Sequence, residues 1–173
     1  MTNFDRARIT ELLLALDRAL ARRGATADIY LFGGAAMALT FDANRSTRDL
    51  DAVFAPTSEV RSAAAEVASD WGIQDDWLND AAKGYVPPSV DPDQQVLHES
   101  DHLRVCVASA AHLLAMKVAA SRVEQDRGDL ELLLSSLGIT SADAAISVAR
   151  ECLGPSYPIP PKAQYLLEEI LGQ

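Results

Sequence analysis

The chain has 173 residues, 49% of them hydrophobic and 23% charged, with a formal net charge of −10 at pH 7. This length suits a single compact domain over 1–173, and the composition excludes a disordered chain. The charge excludes broad, nonspecific attraction to DNA, because phosphate contacts rely on Lys and Arg.

Charges interrupt the N-terminal apolar stretch at helical spacing, so no export signal is read there. No stretch approaches the roughly 20 apolar residues that span a bilayer, so a cytoplasmic protein with no membrane partner is expected. The two cysteines, Cys106 and Cys152, stand in apolar surroundings and are expected to be buried free thiols.

Residues 4–23 are expected to form an amphipathic helix, with Ile9, Leu12, Leu13, Leu16 and Leu20 at three- and four-residue steps and Gly24 as the stop. Residues 28–32 (DIYLF) form a strand that ends at Gly33-Gly34 and gives way to a short helix of small apolar residues. After a polar turn over 42–47, Asp49 to Phe54 predicts a second strand. A helix then runs from about Ser58 to Trp71, stopped by Gly72.

Residues 73–95 are expected to be a long loop with one helical turn, in which Trp77 either plugs the core edge or offers a stacking face for a base. A hairpin pairs 96–98 with 103–107, and Ser109 caps a helix reaching about Val123, with Gly128 as the point of interruption. Asp129 to Leu137 continues as helix to Gly138. Thr140 with Asp143 resembles a capping box, and a last helix begins near Pro161. The class is α/β or α+β, with a strand-rich core over 1–107 and a helical part over 108–173.

Two features point to chemistry. Period-2 geometry puts Asp49 and Asp51 on one strand face, where their mutual repulsion is relieved by a divalent cation such as Mg2+. Gly33 and Gly34 stand where a strand meets a helix start, so backbone N–H groups can approach a phosphate and the helix dipole favours its charge. Each alone is commonplace, a tight turn or a solvated strand end. His98, His102 and His112 lack metal-ligand spacing and read as surface or packing residues.

Strand, Gly-Gly, helix and then Arg45-Ser46-Thr47-Arg48-Asp49-Leu50-Asp51 on an adjacent strand resembles the nucleotidyltransferase superfamily of the DNA polymerase beta type. More narrowly, the chain looks like the bacterial AbiEii-like and MenT-type toxins. The resemblance covers residues 28–54 and extends more loosely to Leu113–Lys117 and Asp126–Leu130. It implies a mixed sheet flanked by helices and an enzyme moving a nucleoside monophosphate from a triphosphate to an acceptor hydroxyl.

In that scheme Gly33 and Gly34 hold the nucleotide phosphates and Arg45 and Thr47 line the site. Asp49 and Asp51 hold Mg2+, Lys117 neutralises the triphosphate, and Asp129 has a further acidic role, with Asp126 as a weaker candidate. The resemblance also implies a transfer RNA acceptor and a separately encoded antitoxin. The negative charge favours a different acceptor, a small cationic molecule such as an aminoglycoside.

From the residues alone, Lys117 also suits a side chain snorkelling to solvent, Asp129 a dipole-complementing helix acid, and Arg45 and Thr47 structural roles. The expected strand 103–107 carries no carboxylate, so it supplies no third acid. This leaves open a degenerate fold acting as a nucleotide-binding or protein-binding module.

Overall fold

The computed structural model describes residues 2–172. Its first helix, α1 (Arg6–Arg22), is capped by Asp5, whose side chain accepts from Arg8 N. Its buried stripe runs through Ile9, Leu12, Leu13, Leu16 and Leu20, as the spacing requires. The strands are β1 (Ala27–Leu31), β2 (Leu50–Ala55), β3 (Leu78–Asn79), β4 (Gln95–Glu99) and β5 (Leu103–Val107).

Among the described residues these five form one mixed sheet in the order β3-β2-β1-β5-β4. β1 pairs antiparallel with β2 and parallel with β5, β2 pairs parallel with β3, and β4 pairs antiparallel with β5. The class is therefore α/β with a mixed sheet, consistent with a nucleotidyltransferase-like core.

The helices α2 (Gly33–Thr40) and α3 (Thr57–Trp71) follow β1 and β2 directly. Helix α1 packs against both, and α3 also packs on β2. Leu50, Ala52 and Phe54 are buried, while Asp51, Val53 and Ala55 point to the other face. That alternation is the period-2 pattern of a half-covered strand.

The helices α4 (Ala110–Ala120), α5 (Val123–Leu137), α6 (Ala142–Leu153) and α7 (Pro161–Leu171) complete the elements. The chain divides into two compact units. One comprises the chain up to Lys83 with Gln94–Ala108, and the other comprises Gly84–Asp93 with the chain from Ser109 onward. In the second unit α4 packs against α5 and α6, and α7 packs against α5 and α6. Helix α4 is buried through His112 to Val118 because neighbours cover more than one of its sides.

Three local expectations need correction. The segment 73–95 contains the strand β3 where only loop was expected, while its 3₁₀ turn at Lys83–Tyr85 is the one helical turn expected there. The helix opened by Ser109 stops at Ser121, which takes the left-handed conformation (φ 53), and α5 then runs through Gly128 without a break. The cap of α6 is Ser141, accepting from Ala144 N, one residue beyond the expected Thr140. Of the two readings of Trp77 the core plug is the one found: it is fully buried and its indole N–H donates to Ala64 O at 3.0 Å, so it offers no stacking face to a base.

Cys106 and Cys152 are free and buried, as expected. Burial pushes both thiols above their ordinary pKa. Asp91 and Glu151 add to the effect at Cys152, while Arg104 opposes it at Cys106. Neither has the depressed pKa of a nucleophilic cysteine. Among the described residues no single helix is long and apolar enough to cross a membrane.

Candidate active site

The first unit brings together four of the residues singled out by sequence: Gly33, Gly34, Thr47 and Asp51. β1 ends at Leu31, and Phe32 N donates to Asp51 O at 3.0 Å, which ties the entrance of α2 to the start of β2. Gly33 has φ +62, a conformation that disfavours any side chain. A Cβ built there would sit 2.7 Å from Asp51 Oδ2, so the bare Cα is what admits the carboxylate.

Gly34 is bare for a parallel reason, since its Cβ would fall 2.7 Å from Thr47 Oγ1 and 3.3 Å from Thr47 Cβ. The Thr47 hydroxyl in turn donates to Asp49 O at 3.0 Å. Thr47 also exchanges backbone hydrogen bonds with Phe4, at 2.7 and 2.9 Å. The two glycines are thus required by the packing of Asp51 and Thr47 as well as by any phosphate.

Helix α2 begins at Phe32, whose side chain makes no capping hydrogen bond. First-turn N–H groups have no acceptor within a helix, and the helix dipole adds a partial positive charge there. Asp49 and Asp51 are both half-buried and flank the inward-facing Leu50. The first unit therefore sets a helix start, which suits an anion, beside the Asp51 carboxylate, with Asp49 two residues before it in the chain.

Arg45 is half-buried in the turn after α2, and its backbone N–H donates to Asp42 O at 3.1 Å. The neighbours of β2 are β1 and β3, so β5, the strand noted as lacking a carboxylate, lies two strands away. β3 places Asn79 in register with Asp51, and the Asn79 amide donates to Asp49 Oδ2 at 3.2 Å. Sequence reading missed Asn79, and its only signal was a polar residue closing the short apolar pair Trp77-Leu78 inside an apparent loop.

Among the described residues no cluster of three His, Cys, Asp or Glu side chains is arranged to hold a metal ion. The protein's own donors here are two carboxylates. That number fits Mg2+, which binds through one or two carboxylates and completes its shell with phosphate oxygens and water.

Lys117 and Asp129 belong to the second unit. Lys117 is only 7% exposed, so it does not snorkel. Its ammonium lies 2.8 Å from Asp126 Oδ1 and 2.6 Å from Asp129 Oδ2, both carboxylates being 3% exposed. The largely exposed Arg122 contributes a guanidinium nitrogen 3.6 Å from Asp126 Oδ2. Two cations thus face two carboxylates, and the Lys117 pairs join α4 to α5 across the turn at Ser121.

His112, passed over in sequence, is buried in the same unit with Nδ1 3.4 Å from Asp91 Oδ1 and 3.7 Å from Cys152 Sγ. Both contacts use the same ring nitrogen, and the thiol's pKa is raised, so the group lacks the relay geometry of a Cys–His–Asp nucleophile.

A strand, a glycine pair opening a helix, and an adjacent strand that sets Asp51 against that opening, with Asp49 just before it, are consistent with a nucleotidyltransferase-type core. Residues 10–139 match the family model described as "Nucleotidyltransferase of unknown function (DUF6036)". The chain belongs to that family. No curated protein and no solved structure matches it.

Proposed function

We propose that this chain is a Mg2+-dependent nucleotidyltransferase that moves a nucleoside monophosphate from a nucleoside triphosphate to an acceptor hydroxyl. The observation that carries the proposal is the approach of the Gly33 backbone to Asp51, which sets the opening of α2 against that carboxylate. Asp49 and Asp51 would hold the metal, which supplies charge neutralisation at the phosphates when bound.

The first-turn N–H groups of α2 then orient the phosphate chain. Arg45 and Thr47 stand on the segment that leads into the carboxylates. The acceptor oxygen attacks the α-phosphorus, the bond to the bridging oxygen breaks, pyrophosphate leaves, and the hydroxyl proton is released to solvent. The protein's work is positioning and charge compensation, which is what a loose phosphoryl-type transition state asks for.

The acceptor is open between two classes. The resemblance to AbiEii-like and MenT-type toxins supports a transfer RNA acceptor, with an antitoxin as a protein partner. The net charge of −10 supports a small cationic acceptor such as an aminoglycoside.

Incubating the protein with each α-labelled triphosphate and Mg2+, in the presence of transfer RNA or an aminoglycoside, separates the two by which acceptor gains label. Triphosphate binding with no label on either acceptor points to a nucleotide-binding module. Absence of both triphosphate and metal binding overturns the proposal.

A further inference from the structure

We infer that Asn79 is a positioning residue for the metal site, holding the Asp49 carboxylate in place by donating a hydrogen bond to it. This inference rests on the proposed metal-binding role of Asp49 and Asp51. The amide orientation is fixed by its surroundings. Asn79 Oδ1 accepts from Ala81 N at 3.0 Å, which only an oxygen can do, while Nδ2 faces two acceptors, Asp49 Oδ2 at 3.2 Å and Asp76 O at 3.3 Å. Flipping the amide would set an oxygen against two oxygens and a donor against a donor.

Asp49 lies one residue before β2, and its Oδ2 takes a donor from the neighbouring strand β3. The pairing of Leu50 with Leu78 and of Asp51 with Asn79 carries that donor into place. A donor fixed on one carboxylate oxygen restricts the rotation of Asp49 and leaves Oδ1 for a cation. Being already committed to Ala81 N, the Asn79 oxygen acts as a turn acceptor and not as a ligand.

The test is Mn2+ binding followed by electron paramagnetic resonance, using the folded 173-residue chain, with melting temperatures measured separately in EDTA. Asn79→Ala removes both the turn contact and the donor. Asn79→Ser keeps a hydroxyl able to accept from Ala81 N, as Ser does in local turns, but is too short to replace the contact with Asp49.

Both variants are expected to bind Mn2+ about tenfold more weakly than the parent, the lower end of what losing such a supporting hydrogen bond costs. Only Asn79→Ala should also melt clearly lower in EDTA. Parent-like Mn2+ affinity in Asn79→Ser would reduce Asn79 to a turn-forming residue and overturn the inference while leaving the metal site standing. A parent protein that binds no Mn2+ would overturn the metal-site reading itself, and this inference with it.

Discussion

Gly33 has no side chain because Asp51 fills the space that one would need: a Cβ at Gly33 would lie 2.7 Å from Asp51 Oδ2 and 3.4 Å from Asp51 Cβ. Gly33→Ala is therefore expected to destabilise the protein twice over. The positive φ alone costs about 1–2 kcal/mol for a residue with a Cβ. The displaced carboxylate adds to it, and Asp51→Ala should relieve that second part. A chemical-denaturation double-mutant cycle should give a coupling energy of about 0.5–3 kcal/mol between the two positions. Strict additivity would show that the two residues do not contend for the same space.

Gly128 is the opposite case. It lies in the interior of α5, and nothing stands within 4 Å of where its Cβ would go. Gly128→Ala should raise stability by about 0.5–1 kcal/mol through reduced backbone freedom of the unfolded chain. A lower denaturation midpoint in the variant would mean that α5 is not continuous through this position.

The parts of the fold that sequence revealed are those set by short-range pattern. The α1 stripe, the alternation of Leu50, Ala52 and Phe54 against Asp51, and the glycines after β1 all follow from periods of 3.6 or 2 and from turn chemistry. β3 was illegible because two residues between Asp76 and Asp80 carry no period, and their strand character comes entirely from pairing with β2. Asn79 was hidden with it. The break between α4 and α5 was misplaced because Ser121 adopts a left-handed conformation that glycine usually marks, while Gly128, the visible glycine, sits inside a helix. The partners of Lys117 stand 9 and 12 residues onward, beyond the i,i+4 reach within one helix, so its pairing could not be read from helical spacing.

Those partners set what Lys117→Met should do. The substitution preserves the stem's volume but leaves Asp126 and Asp129, both buried, without the ammonium between them. Breaking a buried pair by removing one partner costs about 3–5 kcal/mol. The variant should therefore lose much of its stability whatever happens to activity, and Lys117→Met with Asp126→Asn and Asp129→Asn should recover part of it. Urea denaturation of the single and triple variants checks this. A single variant as stable as the parent would show that the ion pair contributes little and would free Lys117 for the triphosphate role that the family resemblance implies.

Asp51→Asn separates stability from function most sharply. Asp51 lies in β2 and Asp49 one residue before that strand, and on the proposed reading a divalent cation held by both offsets the repulsion between them. If that repulsion outweighs the other contacts of Asp51, removing one charge should leave the melting temperature in EDTA at or above that of the parent. In the parent, Mg2+ at about ten times its dissociation constant should add about 1.4 kcal/mol by mass action, or about 3–5 °C for a chain of this size. That increment should vanish in Asp51→Asn together with triphosphate-dependent transfer. If Asp51 is instead a structural anchor, losing its charge strips a paired group, and the variant should melt well below the parent in EDTA. The parent would then show no response to Mg2+ or nucleotide. Differential scanning fluorimetry of both proteins, with EDTA, Mg2+, and Mg2+ plus triphosphate, tells these outcomes apart. A low-melting variant beside an unresponsive parent would remove the metal site and leave the family match as the remaining support for nucleotidyl transfer.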